Sequence, residues 1–64
     1  MEGIVKRWLS GRGYGFIQTD ELDRDVFVHY TSLKNTRDLV EGEKVRFDLV
    51  QTEKGPKAIN VETI

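Results

Sequence analysis

Two short segments of this 64-residue chain place aromatic side chains at alternating positions, and this pattern constrains the fold more than any other feature. The segment Arg12–Ile17 carries Tyr14 and Phe16 with one glycine between them, and Val26–Tyr30 alternates a phenylalanine and a histidine with valines. Successive side chains of a β-strand point to opposite faces, so each segment predicts a strand with its rings on one face. The valines and Ile17 are sufficient to form the core face, so the aromatic face is not needed for the core and is available for binding.

Length and composition limit the chain to one domain, residues 1–64, with one small core. A domain of this size buries only about 60% of the surface of its unfolded chain. There is no cysteine, and the single histidine could not build a zinc site without several carboxylates, so we expect no metal and no cofactor. No apolar run approaches the roughly 20 residues of a membrane span. Met1 leads into a strand-like segment without a signal-peptide pattern, which predicts a cytoplasmic protein with no membrane partner.

The chain in order predicts five short strands separated by turn-forming residues. The first strand does not alternate cleanly, which indicates a bulge or strong twist near Lys6 and Arg7 and leaves the facing of Trp8 open. Five strands with turns every 8 to 12 residues or so predict an all-β fold, either a small barrel or a sandwich. We favour the closed barrel because so few residues cannot easily fill two sheets. The expected strands are Gly3–Leu9, Tyr14–Thr19, Asp25–Tyr30, Glu43–Thr52 and Lys57–Ile64.

Side-by-side rings on a sheet surface predict a platform on which unpaired bases can stack. Each base stacked on an aromatic ring contributes roughly 1–3 kcal/mol to binding. The formal net charge is −1, which argues against a protein held to nucleic acid by phosphate attraction alone. Stacking would supply most of the affinity, and cations at the fringe could neutralise phosphates. These cations are Lys6, Arg7, Arg12, Lys54 and Lys57.

The two aromatic segments resemble the two ribonucleoprotein motifs of the cold-shock domain family. The resemblance covers nearly the whole chain and implies a five-stranded antiparallel OB-fold barrel. It further implies binding of single-stranded RNA and DNA with low sequence selectivity, in the role of an RNA chaperone or a regulator of transcription or translation. The RNA-recognition motif has similar segments, but in reverse order and in a longer chain with two helices. The matching residues are Gly3, Val5, Lys6, Gly13–Ile17, Asp25, Val26–Tyr30, Gly55, Pro56, Ala58, Asn60 and Val61.

Three features depart from the pattern of that family. Arg7 stands where the family usually has its stacking tryptophan, and Trp8 is displaced by one residue from that position. The segment between Leu33 and Leu39 is shorter than the family's long loop and has no aromatic residue, so Arg37 is the only candidate substitute for a missing stacking platform. The turn after the second strand is about one residue longer and more charged than usual.

The candidate binding residues are the aromatic face and its polar neighbours. Asp25 could accept a hydrogen bond from the amino group of a base. His29 is interpreted as a stacking or hydrogen-bonding residue, because no motif places a serine or carboxylate beside it as catalysis would require, and we expect no enzyme activity. The full set is Lys6, Arg7, Trp8, Arg12, Tyr14, Phe16, Asp25, Phe27, His29, Tyr30, Lys54 and Lys57.

Two other interpretations of the aromatic face remain open at this point. Taken singly, each ring could belong to an ordinary cross-strand pair that stabilises the sheet by about 0.2–1 kcal/mol. The face could also be an apolar patch through which an OB-fold module binds a partner protein. The acidic balance of the chain and the presence of Arg7 support this alternative. We expect a monomer whose partner is single-stranded RNA or DNA.

Overall fold

The computed structural model describes residues 1–64 and consists of five strands and one short 3-10 turn. The turn, Tyr30–Ser32, directly follows the third strand. No helix in the structure has the length and apolar character needed to cross a membrane. The strands are β1 (Glu2–Leu9), β2 (Tyr14–Gln18), β3 (Val26–His29), β4 (Lys44–Thr52) and β5 (Gly55–Thr63).

The strands close into a barrel in the order β1-β2-β3-β5-β4, with β4 returning to β1. The predicted all-β, five-stranded barrel is therefore confirmed. Four seams are antiparallel, but β3 and β5 run parallel where Phe27 pairs with Lys57. An odd number of strands cannot alternate direction all the way round a ring, so one seam of this otherwise antiparallel barrel must be parallel.

A bulge in β1 changes which side chains reach the core. Val5 pairs with Ile17 and Arg7 pairs with Phe16, so β1 has one more residue than β2 in this interval. Such an extra residue reverses the alternation downstream of the bulge. The predicted bulge is confirmed, and it turns Lys6 and Arg7 to solvent.

The same bulge corrects the expected place of Trp8 on the binding surface. The alternation resumes after the bulge with Trp8 on the inner face, where it is only 7% exposed and belongs to the hydrophobic core. Its indole is therefore a structural group, and Arg7 occupies the outer position of this strand beside Phe16.

A second bulge lies in β5 and interrupts its alternation in the same way. Strict alternation would put Ala58 and Asn60 on one face, but the register with β4 shifts by one residue in this region. Asn60 adopts a left-handed conformation with φ of 51°, which asparagine tolerates better than most residues. Ala58 and Val61 consequently both reach the core, each fully buried.

The barrel interior is filled by aliphatic side chains and two aromatic ones. Phe47, on β4, is the largest of the fully buried side chains. Leu39, from the long connection between β3 and β4, closes one end of the core at 4% exposure. The ten core residues are Val5, Trp8, Ile17, Val26, Val28, Leu39, Val45, Phe47, Ala58 and Val61.

Candidate functional site

Three aromatic rings form a contiguous surface on the outer face of β2 and β3. Phe16 pairs directly with Phe27 across the two strands, and their ring centroids are 6.1 Å apart. Tyr14 lies 6.3 Å from Phe16 and 5.8 Å from Phe27 between centroids. All three rings are half-buried, while the residues between them point into the barrel. The predicted segregation of aromatic and aliphatic faces is confirmed, and we call these three rings the aromatic platform.

The glycine in the middle of the platform is required by the core beneath it. Gly15 pairs with Trp8, and a β-carbon on Gly15 would lie 2.8 Å from Cε3 of the indole and would collide with the carbonyl oxygen of Arg7. The indole thus occupies the space that any side chain at position 15 would need. Trp8 supports the platform from below instead of forming part of it.

His29 and Tyr30 extend the surface beyond the end of β3. Their rings are 4.7 Å apart between centroids and inclined by 38°. Tyr30 is half exposed, and its backbone N–H donates to the carbonyl oxygen of Gly13 at 2.8 Å. The ring also lies over Gly13, where a β-carbon would come within 2.7 Å of its Cδ1 atom. Gly13 and the hydrogen bond thereby fix the position of Tyr30 beside the platform.

The hydrogen bonds of His29 determine which of its nitrogens is free to bind a ligand. The backbone N–H of Thr31 donates to Nδ1 at 3.3 Å, and the hydroxyl of Thr31 lies 2.9 Å from the same atom. An amide nitrogen can only donate, so Nδ1 acts as the acceptor and the neutral ring carries its proton on Nε2. The Nε2–H group of His29 is thus free to donate a hydrogen bond, for example to the carbonyl oxygen of a base.

A groove beside Phe16 and Phe27 concentrates positive charge on a chain that is slightly acidic overall. Four cationic side chains and two carboxylates line it, which gives the groove a local excess of two positive charges. Phosphates attract such cations strongly even where the net charge of the protein is small. The charged lining residues are Lys6, Arg7, Arg24, Lys54, Asp25 and Glu41.

Arg24 is a groove residue that the sequence analysis missed. It lies in the charged turn between β2 and β3, a position whose side-chain direction no alternation pattern predicts. Gly55 lies in the β4–β5 hairpin. A β-carbon added to Gly55 would lie 3.5 Å from the guanidinium of Arg24. The turn therefore folds against the hairpin and brings Arg24 and Lys54 into the same groove. Pro56 and Glu41 are further lining residues that were not predicted.

Two predicted residues of the groove are already paired with each other. Nζ of Lys6 donates to Oδ2 of Asp25 at 3.2 Å, and both side chains are more than one-third exposed. An exposed ion pair of this kind contributes little to stability, so the two side chains can separate at low cost. Arg7, in contrast, takes part in none of the four salt bridges and in no side-chain hydrogen bond.

Three further cations that the sequence analysis names lie outside the groove. Lys57 flanks the platform, because it pairs with Phe27 across the parallel seam. Arg12 lies in the turn between β1 and β2, where its backbone N–H donates to the carbonyl oxygen of Leu9 at 2.9 Å. Arg37 is exposed in the long connection before β4. Neither of these two arginines lines the groove beside Phe16.

Comparison with known proteins gives one family and several full-length relatives. A family model described as the 'Cold-shock' DNA-binding domain matches residues 1–64. The cold shock-like protein CspG of Escherichia coli (strain K12) is 42% identical over 66 residues, covering 100% of this chain and 94% of that protein. A cold shock-like protein of Aquifex aeolicus (strain VF5) is 42% identical over 97% of this chain and 91% of its own length. The probable cold shock protein A of Mycolicibacterium smegmatis is 43% identical over 98% of this chain and 97% of its own length.

A solved structure, described as Drosophila Unr CSD456, has the same fold. It superposes with a TM-score of 0.82 at 23% sequence identity, covering 98% of this chain and 26% of that chain. At this level of identity the likeness concerns the barrel alone.

Proposed function

The chain belongs to the cold-shock domain family, a family of nucleic-acid-binding domains, and from this premise we propose that it binds single-stranded RNA or DNA by stacking unpaired bases on its aromatic platform. The observation that carries the proposal is the contact between the half-exposed rings of Tyr14, Phe16 and Phe27 on one outer face. Unpaired bases present flat faces that such rings can stack against, whereas paired bases do not.

The groove beside the platform would hold the backbone of the strand. Arg7, Arg24 and Lys54 line it without a salt-bridge partner, so their charges are available to phosphates. Stacking tolerates every base, and phosphate contacts carry no sequence information, so the binding has low sequence selectivity. A protein of this kind suits the role of an RNA chaperone or of a regulator of transcription or translation. Its action as a cytoplasmic monomer belongs to the same proposal.

A titration with labelled oligonucleotides tests the proposal. Fluorescence anisotropy of a labelled oligothymidine of about eight nucleotides is measured as protein is added, and a duplex of the same length serves as the comparison. We expect the single strand to bind more tightly, with log affinity falling by roughly 0.7 per log salt for each phosphate contacted. The label belongs on the nucleic acid because Trp8 is buried, 7% exposed, and its emission reports folding rather than stacking.

Truncation of the platform tests the stacking itself. Phe16→Ala and Phe27→Ala should each weaken oligothymidine binding by about 1–3 kcal/mol, the amount lost when a stacked base loses its ring. Ile64→Ala is the matched control, because Ile64 is an exposed apolar residue, 62% exposed, beyond the end of β5. Equal affinity of both phenylalanine variants and the wild-type protein would remove the platform from the site. No binding to any oligonucleotide at low salt would favour a protein partner for the aromatic face.

A further inference from the structure

Arg7 is a free guanidinium placed next to the aromatic platform. The bulge in β1 turns it outward, and its Cα partner across the strand pair is Phe16. Side chains of directly paired residues in an antiparallel sheet lie about 5 Å apart at their β-carbons, and an arginine side chain extends further from the sheet than a phenylalanine ring. A base stacked on Phe16 would therefore present one of its edges to the guanidinium.

The chemistry of this guanidinium differs from that of the neighbouring lysine. Lys6 offers a compact charge and already pairs with Asp25 at 3.2 Å. Arg7 presents a planar fork of donors that can form two parallel hydrogen bonds to adjacent acceptors, and none of these donors has a partner within the protein. A lysine at the same position would keep the charge but lose the fork.

The base that best fits the fork is guanine. Its O6 and N7 atoms are two adjacent acceptors, whereas adenine offers one acceptor and one donor on this edge and thymine or uracil offers a single carbonyl. The adjoining Watson–Crick edge of guanine carries N–H donors, and the groove holds the carboxylates of Asp25 and Glu41, which could accept hydrogen bonds from them. Because Lys6 contacts only Oδ2 of Asp25, the other carboxylate oxygen is free.

We propose that Arg7 is a specificity-determining residue, which selects guanine at the position stacked on Phe16 by donating two hydrogen bonds to O6 and N7. This inference rests on the proposed function, since it requires a base on the platform. It adds a preference at one position to a strand that otherwise binds with low selectivity.

A scan of guanine through an oligothymidine tests the proposal. One guanine replaces one thymine at each position in turn, and parallel series contain adenine, cytosine or 7-deazaguanine, which lacks the N7 acceptor. We expect guanine at one position to bind about fivefold or more tighter than thymine, because a bidentate pair discriminates by about 1–3 kcal/mol. The 7-deazaguanine series should lose most of that gain.

Arg7→Lys separates base recognition from charge. It should abolish the preference for guanine, measured as the ratio of the affinities for the guanine-containing and the plain oligothymidine, because the lysine keeps the positive charge but lacks the fork of donors. Arg46→Lys is the matched control, because Arg46 lies on β4 outside the groove and contacts Glu62 at 3.5 Å, and it should keep the preference.

The outcomes distinguish this inference from the function on which it rests. Tight binding of oligothymidine with equal affinities for guanine and 7-deazaguanine at every position would overturn the role of Arg7 and leave the proposed function standing. A guanine preference that survives Arg7→Lys would overturn it as well, because the fork would not be the selecting group. A failure to bind any of the oligonucleotides would overturn the proposed function itself.

Discussion

Gly15 shows how a single residue connects the core to the candidate site. Its neighbours in sequence, Tyr14 and Phe16, point outward to the platform, while Gly15 faces the indole of Trp8 inside the barrel. The close approach of β1 and β2 at this point leaves no room for a β-carbon. The glycine between the two rings is therefore explained by packing beneath the platform as well as by access above it.

Gly15→Ala should destabilise the protein by about 1–3 kcal/mol, the usual cost of forcing an extra carbon into a packed site. The added methyl group would press on Trp8 and on the carbonyl oxygen of Arg7. The measurement is the urea midpoint followed by tryptophan emission.

Gly11→Ala is the control, because a β-carbon on Gly11 would have no atom within 4 Å and the φ of Gly11 is not positive. Removing its flexibility should leave stability unchanged or raise it by up to about 1 kcal/mol. Equal stability of the two variants would contradict the packing explanation.

At the scale of elements, the connection between β3 and β4 is held down by Trp8. Nε1 of the indole donates to Oδ1 of Asp38 at 3.0 Å, and the backbone N–H of Trp8 donates to Oε2 of Glu41 at 3.4 Å. Leu39 lies between these two acidic residues and enters the core. A segment with almost no regular structure is thus fixed to β1 by a buried side chain and two hydrogen bonds.

Asp38→Ala should lower the free energy of unfolding by about 1 kcal/mol, because the indole N–H loses its acceptor in a partly buried place. Near-ultraviolet circular dichroism and the wavelength of tryptophan emission should change together with the urea midpoint. Asp20→Ala is the control, because Asp20 is exposed in the turn after β2 and forms no hydrogen bond or salt bridge through its side chain. Indole spectra unchanged in Asp38→Ala would show that the hydrogen bond does not hold this connection.

At the scale of the whole molecule, some charged side chains of the barrel form salt bridges with each other, whereas others in the groove have no partner. Glu62 on β5 contacts Lys34 at 3.0 Å and Arg46 at 3.5 Å, and so joins the connection after β3 to the β4–β5 hairpin. The hydrogen bond and the charge of Lys34 lower the pKa of Glu62 from its usual value of 4.5, with a smaller contribution from Arg46. In the groove, by contrast, Arg7 and Lys54 have no such partner and stay available for binding.

The lowered pKa of Glu62 predicts a dependence of stability on acid. The unfolded chain binds a proton at this carboxyl more readily than the folded barrel, so the pair stabilises the fold above about pH 4.5 and the benefit is lost as the pH falls through the lower pKa of the folded state. Urea midpoints measured from pH 6 to pH 3 should therefore fall less steeply in Glu62→Gln than in the wild-type protein. Glu53→Gln, in the exposed turn between β4 and β5 and without a salt bridge, is the control and should follow the wild-type curve. Parallel curves for all three proteins would contradict the prediction.

Much of the fold and of the candidate site follows from local alternation along the strands. The pattern around Phe16 and Phe27 predicts both which rings lie outside and which aliphatic residues, such as Ile17 and Val28, lie inside. These predictions succeed because side-chain direction in a regular strand depends only on position along it. They fail at irregular places: Arg24 lies in a turn, whose side-chain direction no periodic rule describes.

The sequence by itself determined the all-β class, the approximate strands and the aromatic face, because each depends on residues close together in the chain. Only the tertiary structure decided that Trp8 packs inside and Arg7 stands outside, since the phase of β1 after its bulge depends on pairing with β2. Closure of the barrel likewise decided that β3 and β5 run parallel and that Arg24 and Lys54 meet in one groove. These features join residues distant in sequence, and their positions depend on the balance of packing over the whole barrel.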